Sequence, residues 1–408
     1  MEAIQRGYFR RKIGAFRKNF EMFLFFIALL QTKVYYINKC LEEVNALNEK
    51  EHLVLGLIRE NPYLSQQEMA EKVGLSRPAL ANIISSLTKK GEVLGRAYIL
   101  PEKKAIVAIG GANVDRKFHI EGTVQLETSN PANVTASVGG VARNIAENLG
   151  RLGNEVKLLT MIGADHDGEK IKQHSEEFIS FEMTEVLTDK STGSYSAVLT
   201  HDGELVIAMA DMEIYKELVP STLAKYESRI VDARCIVVDL NAPRETVEYI
   251  MNLARTRKVP LAVIPVSSPK MSHMPEDLHG LTYFISNRDE IETYLQCSLQ
   301  TEKDYEKAVS ELLKKGVDHV VITLGGNGVI TGHNGNIERL DALPIERIVD
   351  VTGAGDAFVS AFLHAILHKE PFRDAVSFGL YNASRTLQCK ATVREDLSVN
   401  ELSIWREL

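Results

Sequence analysis

Cysteine is scarce in this 408-residue chain: Cys40, Cys235, Cys297 and Cys389 lie far apart, with no Cys-x-x-Cys pair and no Cys/His ligand spacing. That argues against a disulfide framework or a structural zinc and fits reduced thiols in a cytoplasm, the expected location. Positive charge is not in excess, since 47 Lys and Arg face 55 Asp and Glu for a net charge of -8. The whole molecule therefore has no electrostatic bias toward nucleic acid or an anionic membrane. Long apolar runs are missing as well; the one from Met22 to Leu30 is short for a membrane span. No Gly-x4-Gly-Lys-Ser/Thr occurs, which excludes a P-loop on motif grounds, and neither Gly-x-Gly-x-x-Gly nor His-Glu-x-x-His is present. What remains is an ordinary globular profile, 45% hydrophobic and 25% charged, long enough for two or three domains.

The first 47 residues differ from the rest. Arg6, Arg10, Arg11, Lys12, Arg17 and Lys18 precede the apolar run. No small-residue cleavage site follows and everything downstream reads as cytosolic, so a signal peptide is set aside and no stable membrane insertion is expected. Two readings stay open: an extension ahead of a working protein that begins near Leu47, or a helix lying on a membrane surface.

Residues 48 to 100 read as three short helices and a ribbon. One helix runs through Leu53, Leu55, Leu57 and Ile58; Ser65 and Glu68 have capping-box spacing for a second; Ser76-Arg-Pro opens a third. Lys89 to Leu100 supplies a turn and two short strands. The pattern is similar to a winged helix-turn-helix. Ser76, Arg77 and Asn82 on the third helix and Arg96 on the wing are the candidate contacts to operator DNA. Seven Lys/Arg against six Asp/Glu in this span make a weak electrostatic footprint, so a domain for protein contacts is the alternative.

After the polar hinge Pro101 to Lys104, strand runs alternate with helices, which predicts a central, mostly parallel sheet. The run Ile106 to Ile109 places Asn113 and Asp115 just beyond its carboxyl end, the binding edge of an open α/β sheet. There Asp115 is either a carboxylate for neighbouring sugar hydroxyls or an ordinary turn residue. Residues 117 to 137 and 193 to 210 alternate like strands and form a small flap over the site. Near the end, Asp350-Val-Thr-Gly-Ala-Gly-Asp356 runs into an apolar helix. Gly353, Ala354 and Gly355 predict an anion nest at a helix N-terminus, with Asp356 in the first turn placed to accept a proton from an attacking hydroxyl. The plain alternative for Asp356 is a helix-start residue after a Gly-rich turn.

Gly139-Gly-Val-Ala-Arg-Asn144, paired with Asp350-x-x-Gly-Ala-Gly-Asp356, resembles the two signatures of the PfkB (ribokinase-like) sugar and nucleoside kinases over residues 104 to 398. Ser129-Asn-Pro131, Asp211-Met212 and Pro265-Val-Ser267 look most like the pseudouridine kinases of that family. The resemblance implies a three-layer α/β/α domain with a β lid (about 117–137 and 193–212), preceded by the winged helix-turn-helix. It implies Asp356 as base and the backbone of Gly353, Ala354 and Gly355 as anion hole. Asp115, Gly139, Gly140 and Asn144, with Asn113 nearby, would hold the substrate; Asp211 and Tyr195 are added from their place on the flap alone. Thr323, Gly325, Gly326, Gly328 and Asn287 would line the ATP site. Glu290 would organise Mg2+ through water, and Asp350 and Thr352, with the 389–392 loop, a monovalent cation such as K+.

Three positions depart from the family pattern: Ala142 for a usual glycine, Ile285-Ser286 for Lys-Pro, and Ile264 where pseudouridine kinases tend to carry Asp. The leading expectation is an ATP-dependent nucleoside 5'-kinase, with pseudouridine as substrate, tethered to a DNA-binding module. A transcription regulator that senses a ligand with a kinase-like domain is the second reading, and a kinase for another nucleoside or a free sugar the third. A homodimer is expected, since helix-turn-helix units meet DNA as dimers.

Overall fold

The computed structural model describes residues 48–61, 64–93 and 104–407, and these divide into two compact units separated after Lys103. The readings of residues 1–47 and of the wing with Arg96 lie outside the described residues. Among those described, no helix is long and apolar enough to cross a membrane.

The smaller unit is three helices: α1 (Glu49–Glu60), α2 (Gln66–Val73) and α3 (Arg77–Lys89). Asn48 and Ser65 cap the first two with reciprocal boxes through Glu51 and Glu68. Gly74 turns the chain at φ 67°, and Ser76 caps α3 with a proline in its first turn. Val54, Ile58, Met69, Leu80, Ile84 and Leu87 close a core of their own. Buried Glu51 ties α1 to α3, accepting from Ser86 Oγ at 2.7 Å and Lys90 Nζ at 2.9 Å. Ser76, Arg77 and Asn82 stay exposed on α3.

The larger unit has an eight-stranded sheet. Its parallel part runs β4 (Val156–Leu159), β1 (Ile106–Ile109), β9 (Cys235–Asp239), β10 (Leu261–Ile264), β11 (Tyr283–Asn287) and β12 (His319–Thr323). Antiparallel β13 (Val329–His333) and β14 (Asn336–Leu340) complete it. The strands are apolar on both faces because helices cover both. Ile106 and Ala108 enter one core, with α4 (Val141–Arg151), α9 (Ala354–Leu367) and α10 (Phe372–Thr386), while Val107 and Ile109 enter the other. That second core takes residues of α6 (Arg244–Arg257), α7 (Arg288–Leu295) and α8 (Glu302–Lys314). A two-stranded ribbon, β5 (Met161–Gly163) with β6 (Glu185–Leu187), and α5 (His166–Ser175) follow β4.

The lid is a separate four-stranded sheet in the order β3-β2-β7-β8: Ala132–Gly139, Asn113–Ile120, Ser194–Leu199 and Leu205–Asp211. It starts four residues earlier than the alternation indicates, so Asn113 and Asp115 sit on β2 itself and not on a loop beyond β1. Polar residues at Asp115, Arg116, Lys117 and His119 weaken the period-2 signal, and pairing on both sides with β3 and β7 supplies what the local pattern lacks.

Candidate active site

Helix α9 begins without a side-chain cap. Gly353 precedes it in the left-handed region at φ 82°, where a Cβ would lie 2.2 Å from the Thr392 carbonyl oxygen. Gly355 is the opposite case: a Cβ there would meet nothing within 4 Å, because Gly355 borders two cavities. A helix start with open space beside its first-turn N–H groups is the arrangement an anion occupies. Asp356 lies one residue further on, only 9% exposed, and its Oδ2 accepts from Asn144 Nδ2 at 2.7 Å. Burial pushes its carboxyl up to about 7, against the lowering effects of the Asn144 amide and the Arg143 guanidinium; Asp239 and Asp115 add to the rise. A carboxylate balanced near neutrality can both hold and release a proton.

The side chains around Asp356 are locked from behind. Asn144 Oδ1 accepts from the buried guanidinium of Arg143, which also donates to Glu147 Oε2 at 2.5 Å and to the Val138 carbonyl at 2.8 Å. The Asn144 amide is therefore oriented with its NH2 toward Asp356. Glu147 in turn accepts from Arg151 and Ser175, so the chain of contacts is closed at its far end. On the lid, Asn113 Nδ2 donates to Asp115 Oδ1 at 2.6 Å, and burial raises the Asp115 carboxyl above its usual range. Gly139 leaves room for that carboxylate, since its Cβ would fall 2.3 Å from Asp115 Oδ2. Gly140, at φ 98°, brings the start of α4 against the Gly111 carbonyl.

Asp239, missed in the sequence, organises this region. Fully buried at the end of β9, it accepts from the backbone N–H groups of Gly111, Ala142 and Asn241, each at 2.9 Å. It thus supplies α4 with the N-terminal acceptor that Gly140 lacks. A charged residue ending the apolar run Cys-Ile-Val-Val was the available signal. Tyr195 pairs with Asp115 across the lid and shares its face. Asp211 does not: it aligns with Ser194 and Val114, the row facing the other side, and lies exposed. The structure does not bring Asp211 beside the other substrate candidates.

Two cavities adjoin the nest. The larger, about 620 Å³, is walled by apolar side chains such as Leu343, Ile345, Ile348 and Leu387, with Thr323, Gly325, Gly326 and Gly328 at its rim. Beyond their own chain neighbours, nothing lies within 4 Å of a Cβ built on Gly325 or Gly326. The smaller, about 160 Å³, is bordered by Ser286, Asn287, Glu290, Gly355 and Asp356. There Ser286 Oγ is buried without a hydrogen-bond partner, and Val266 holds a left-handed φ of 75°, a strained conformation for a β-branched residue. Asn287 and Glu290 cap α7 reciprocally at 2.8 and 2.9 Å, and burial raises the Glu290 carboxyl. An orphaned hydroxyl, a buried acid and side-chain-free glycines fit a polyphosphate with its counterion.

Asp350 and Thr352 do not fit a free monovalent cation. Asp350 Oδ1 accepts from the Thr352 amide at 2.9 Å and hydroxyl at 2.7 Å, while Oδ2 accepts from Lys117 Nζ at 2.9 Å. Although burial alone would raise its pKa, Thr352 and Lys117 hold the carboxyl below its ordinary value. The Lys117 ammonium already pairs with the Asp350 oxygen that Thr352 leaves open, and two cations beside one carboxylate repel.

Comparisons with known proteins agree with this arrangement. Residues 103–397 match the model for pfkB family carbohydrate kinases, and residues 47–91 match a winged helix-turn-helix DNA-binding model. The uncharacterized sugar kinase YeiI of Escherichia coli is 28% identical over 358 residues, 87% of this chain and 96% of its own length. The pseudouridine kinase of the same organism is 31% identical over 304 residues, 73% of this chain and 95% of its own. Among solved structures, a carbohydrate kinase from Agrobacterium tumefaciens superposes with a TM-score of 0.66 at 30% identity, over 74% of this chain and 96% of that one. Arabidopsis thaliana ribokinase, complexed with ribose and ATP, shares the fold at 20% identity and a TM-score of 0.66, over 73% and 98%. With a buried acid at a helix start beside two cavities, and a family match spanning residues 103–397, the chain belongs to the PfkB family of carbohydrate kinases.

Proposed function

We propose that this kinase transfers the γ-phosphoryl group of ATP to the 5'-hydroxyl of a nucleoside, with pseudouridine as the substrate. The observation that carries the reading is Asp356: a buried carboxyl balanced near pH 7, at the start of the α9 nest and hydrogen-bonded to Asn144. Asp115, with Asn113, Gly139, Gly140 and Asn144, receives the ribose hydroxyls. Asp356 takes the proton as the 5'-oxygen attacks the γ-phosphorus; the bond to the β–γ bridging oxygen breaks and ADP leaves. N–H groups of Gly353 to Gly355 stabilise the charge on the transferring group. The apolar wall of the larger cavity receives the adenine, and Thr323 to Gly328 its phosphate side. Glu290 and Asn287 would hold Mg2+, which would supply charge neutralisation to the phosphates. The relative at 31% identity supports the choice of pseudouridine. ADP release with pseudouridine, uridine, other nucleosides, ribose and fructose is the test; turnover confined to a sugar would overturn the nucleoside assignment.

A second reading, a ligand-sensing regulator in a cytoplasm, is favoured by the winged helix-turn-helix match, with Ser76, Arg77 and Asn82 on α3 as DNA contacts. The two readings are compatible. Ligand binding without ATP consumption would leave only the regulator. As partner we propose a second copy of the chain. The row Val134–Phe118–Val198–Ile207 crosses the lid on the face away from Asp115, and Val134, Ile207 and Met209 are more than half exposed there. Light scattering on Ile207→Asp, expected to turn a dimer into a monomer, tests it.

A further inference from the structure

We propose that Lys117 is a tethered substitute for the monovalent cation of the phosphoryl-transfer site, so that this enzyme works without K+. Lys117 sits in the middle of β2, with its backbone between Thr135 of β3 and Ala197 of β7. Two residues from Asp115, it shares that carboxylate's face of the lid, and its charge acts on Asp115 as well. Its Nζ reaches 2.9 Å from Asp350 Oδ2, three residues ahead of the nest glycine Gly353. The other oxygen of Asp350 shapes the loop through Thr352. An unneutralised Asp350 would set a negative charge close to the place where the nest collects an anion, weakening it. A cation at Oδ2 removes that charge while leaving Oδ1 free to hold the loop. The ammonium does this with the correct sign and does not exchange with solvent, because the β2 backbone carries it.

The pair is partly exposed, with the two side chains at 36% and 27%. Its value is therefore local charge next to a phosphate, and little folding stability is expected from it. The ammonium also comes from the lid, so the neutralising charge arrives with the strand that carries Asp115. In its turnover arm the inference rests on the kinase reading above; its thermal arm does not.

Melting temperature and ADP release are measured at one ionic strength in potassium, sodium or tetramethylammonium chloride, for the full-length protein and for Lys117→Gln. The native protein should melt at the same temperature in all three salts and turn over at the same rate. Lys117→Gln should lose about tenfold or more of its rate in tetramethylammonium and recover it in potassium, since one missing charge at a phosphoryl site has effects of that size. It should also gain a potassium-selective rise in melting temperature, by mass action on the vacated carboxylate. A potassium-selective rise or activation in the native protein overturns the inference. So does a Lys117→Gln enzyme that is fully active in tetramethylammonium. Lys117→Arg, which keeps the charge, should remain indifferent to potassium and serves if Lys117→Gln does not fold. Absence of turnover in every salt would sink the kinase reading, while the melting temperatures would still decide this one.

Discussion

A carboxyl at 9% exposure loses most of its hydration, and for Asp356 the Asn144 amide and the Arg143 charge recover only part of it, which leaves the group near pH 7. Two consequences follow with opposite pH signs. Activity requires the carboxylate, so kcat/KM for the free enzyme should climb from pH 6 to a plateau above about 7.5. Folding prefers the neutral acid, because the folded pKa lies above the unfolded value of 3.8. Stability from this group is complete below that unfolded value and is lost as pH rises through about 7. Asp356→Asn should therefore lower turnover by about 10² to 10⁴-fold and yet be more stable than the native protein at pH 8, by on the order of a few kcal/mol. Chemical denaturation at pH 5 and pH 8 reads the sign; a variant less stable than native at pH 8 contradicts the burial argument. Arg143→Met removes the guanidinium that orients Asn144, leaving Glu147 with Arg151, Ser175 and, at 3.9 Å, His174. It should cost about 3 to 5 kcal/mol in urea unfolding and move the activity limb to higher pH, because Arg143 holds the Asp356 pKa down. At this scale the sequence showed the residues that a local motif marks out: Asp356, Asn144 and Asp115. It hid those whose role is a distant pairing. Asp239 meets Gly111 across 128 residues, and Lys117 meets Asp350 across 233, and no periodicity encodes either.

Two glycines two residues apart separate packing from ligand space at the level of the α9 N-terminus. Gly353 has a positive φ and no room for a Cβ beside Thr392, so Gly353→Ala should destabilise the fold by about 1 to 3 kcal/mol. Gly355 lies within the helix and faces open space, so Gly355→Ala should be neutral or gain up to about 1 kcal/mol from helix propensity. Its methyl group would stand between the two cavities, and ATP affinity should fall while melting temperature does not. Thermal melts paired with nucleotide titration distinguish the cases; loss of stability in Gly355→Ala would mean the space is not a ligand's. Elements were legible to different degrees for a physical reason. Helices with caps, such as α2 and α3, carry their start signals in three or four residues. The buried parallel strands carry theirs as apolar runs. The lid strands, half-exposed and charged, are defined mainly by their neighbours, which is why the start of β2 was displaced onto Lys117.

For the whole molecule, each unit closes its own core. The smaller uses Val54 to Val93, and the larger draws its two clusters from Ile106 to Leu402. Alternation of strands and helices, set against the three short helices before it, made this division readable. A fragment of residues 104–408 retains both clusters and every candidate residue from Asn113 to Asp356, so it should fold cooperatively and turn over substrate within about twofold of the full chain. DNA retention should be lost with residues 1–103. In the full chain, the seven basic and six acidic residues between 48 and 100 leave few cations for phosphates. Binding should accordingly weaken with salt on a shallow slope, near −3 for about three phosphate contacts. A fluorescence anisotropy titration against salt measures it. A slope near −10 would require cations that this span does not hold, and would assign the footprint to Arg6, Arg10, Arg11, Lys12, Arg17 and Lys18, whose removal should then flatten it. No retention at any salt, with turnover intact, would leave the helical unit as a protein-contact domain and the kinase as the whole of the activity.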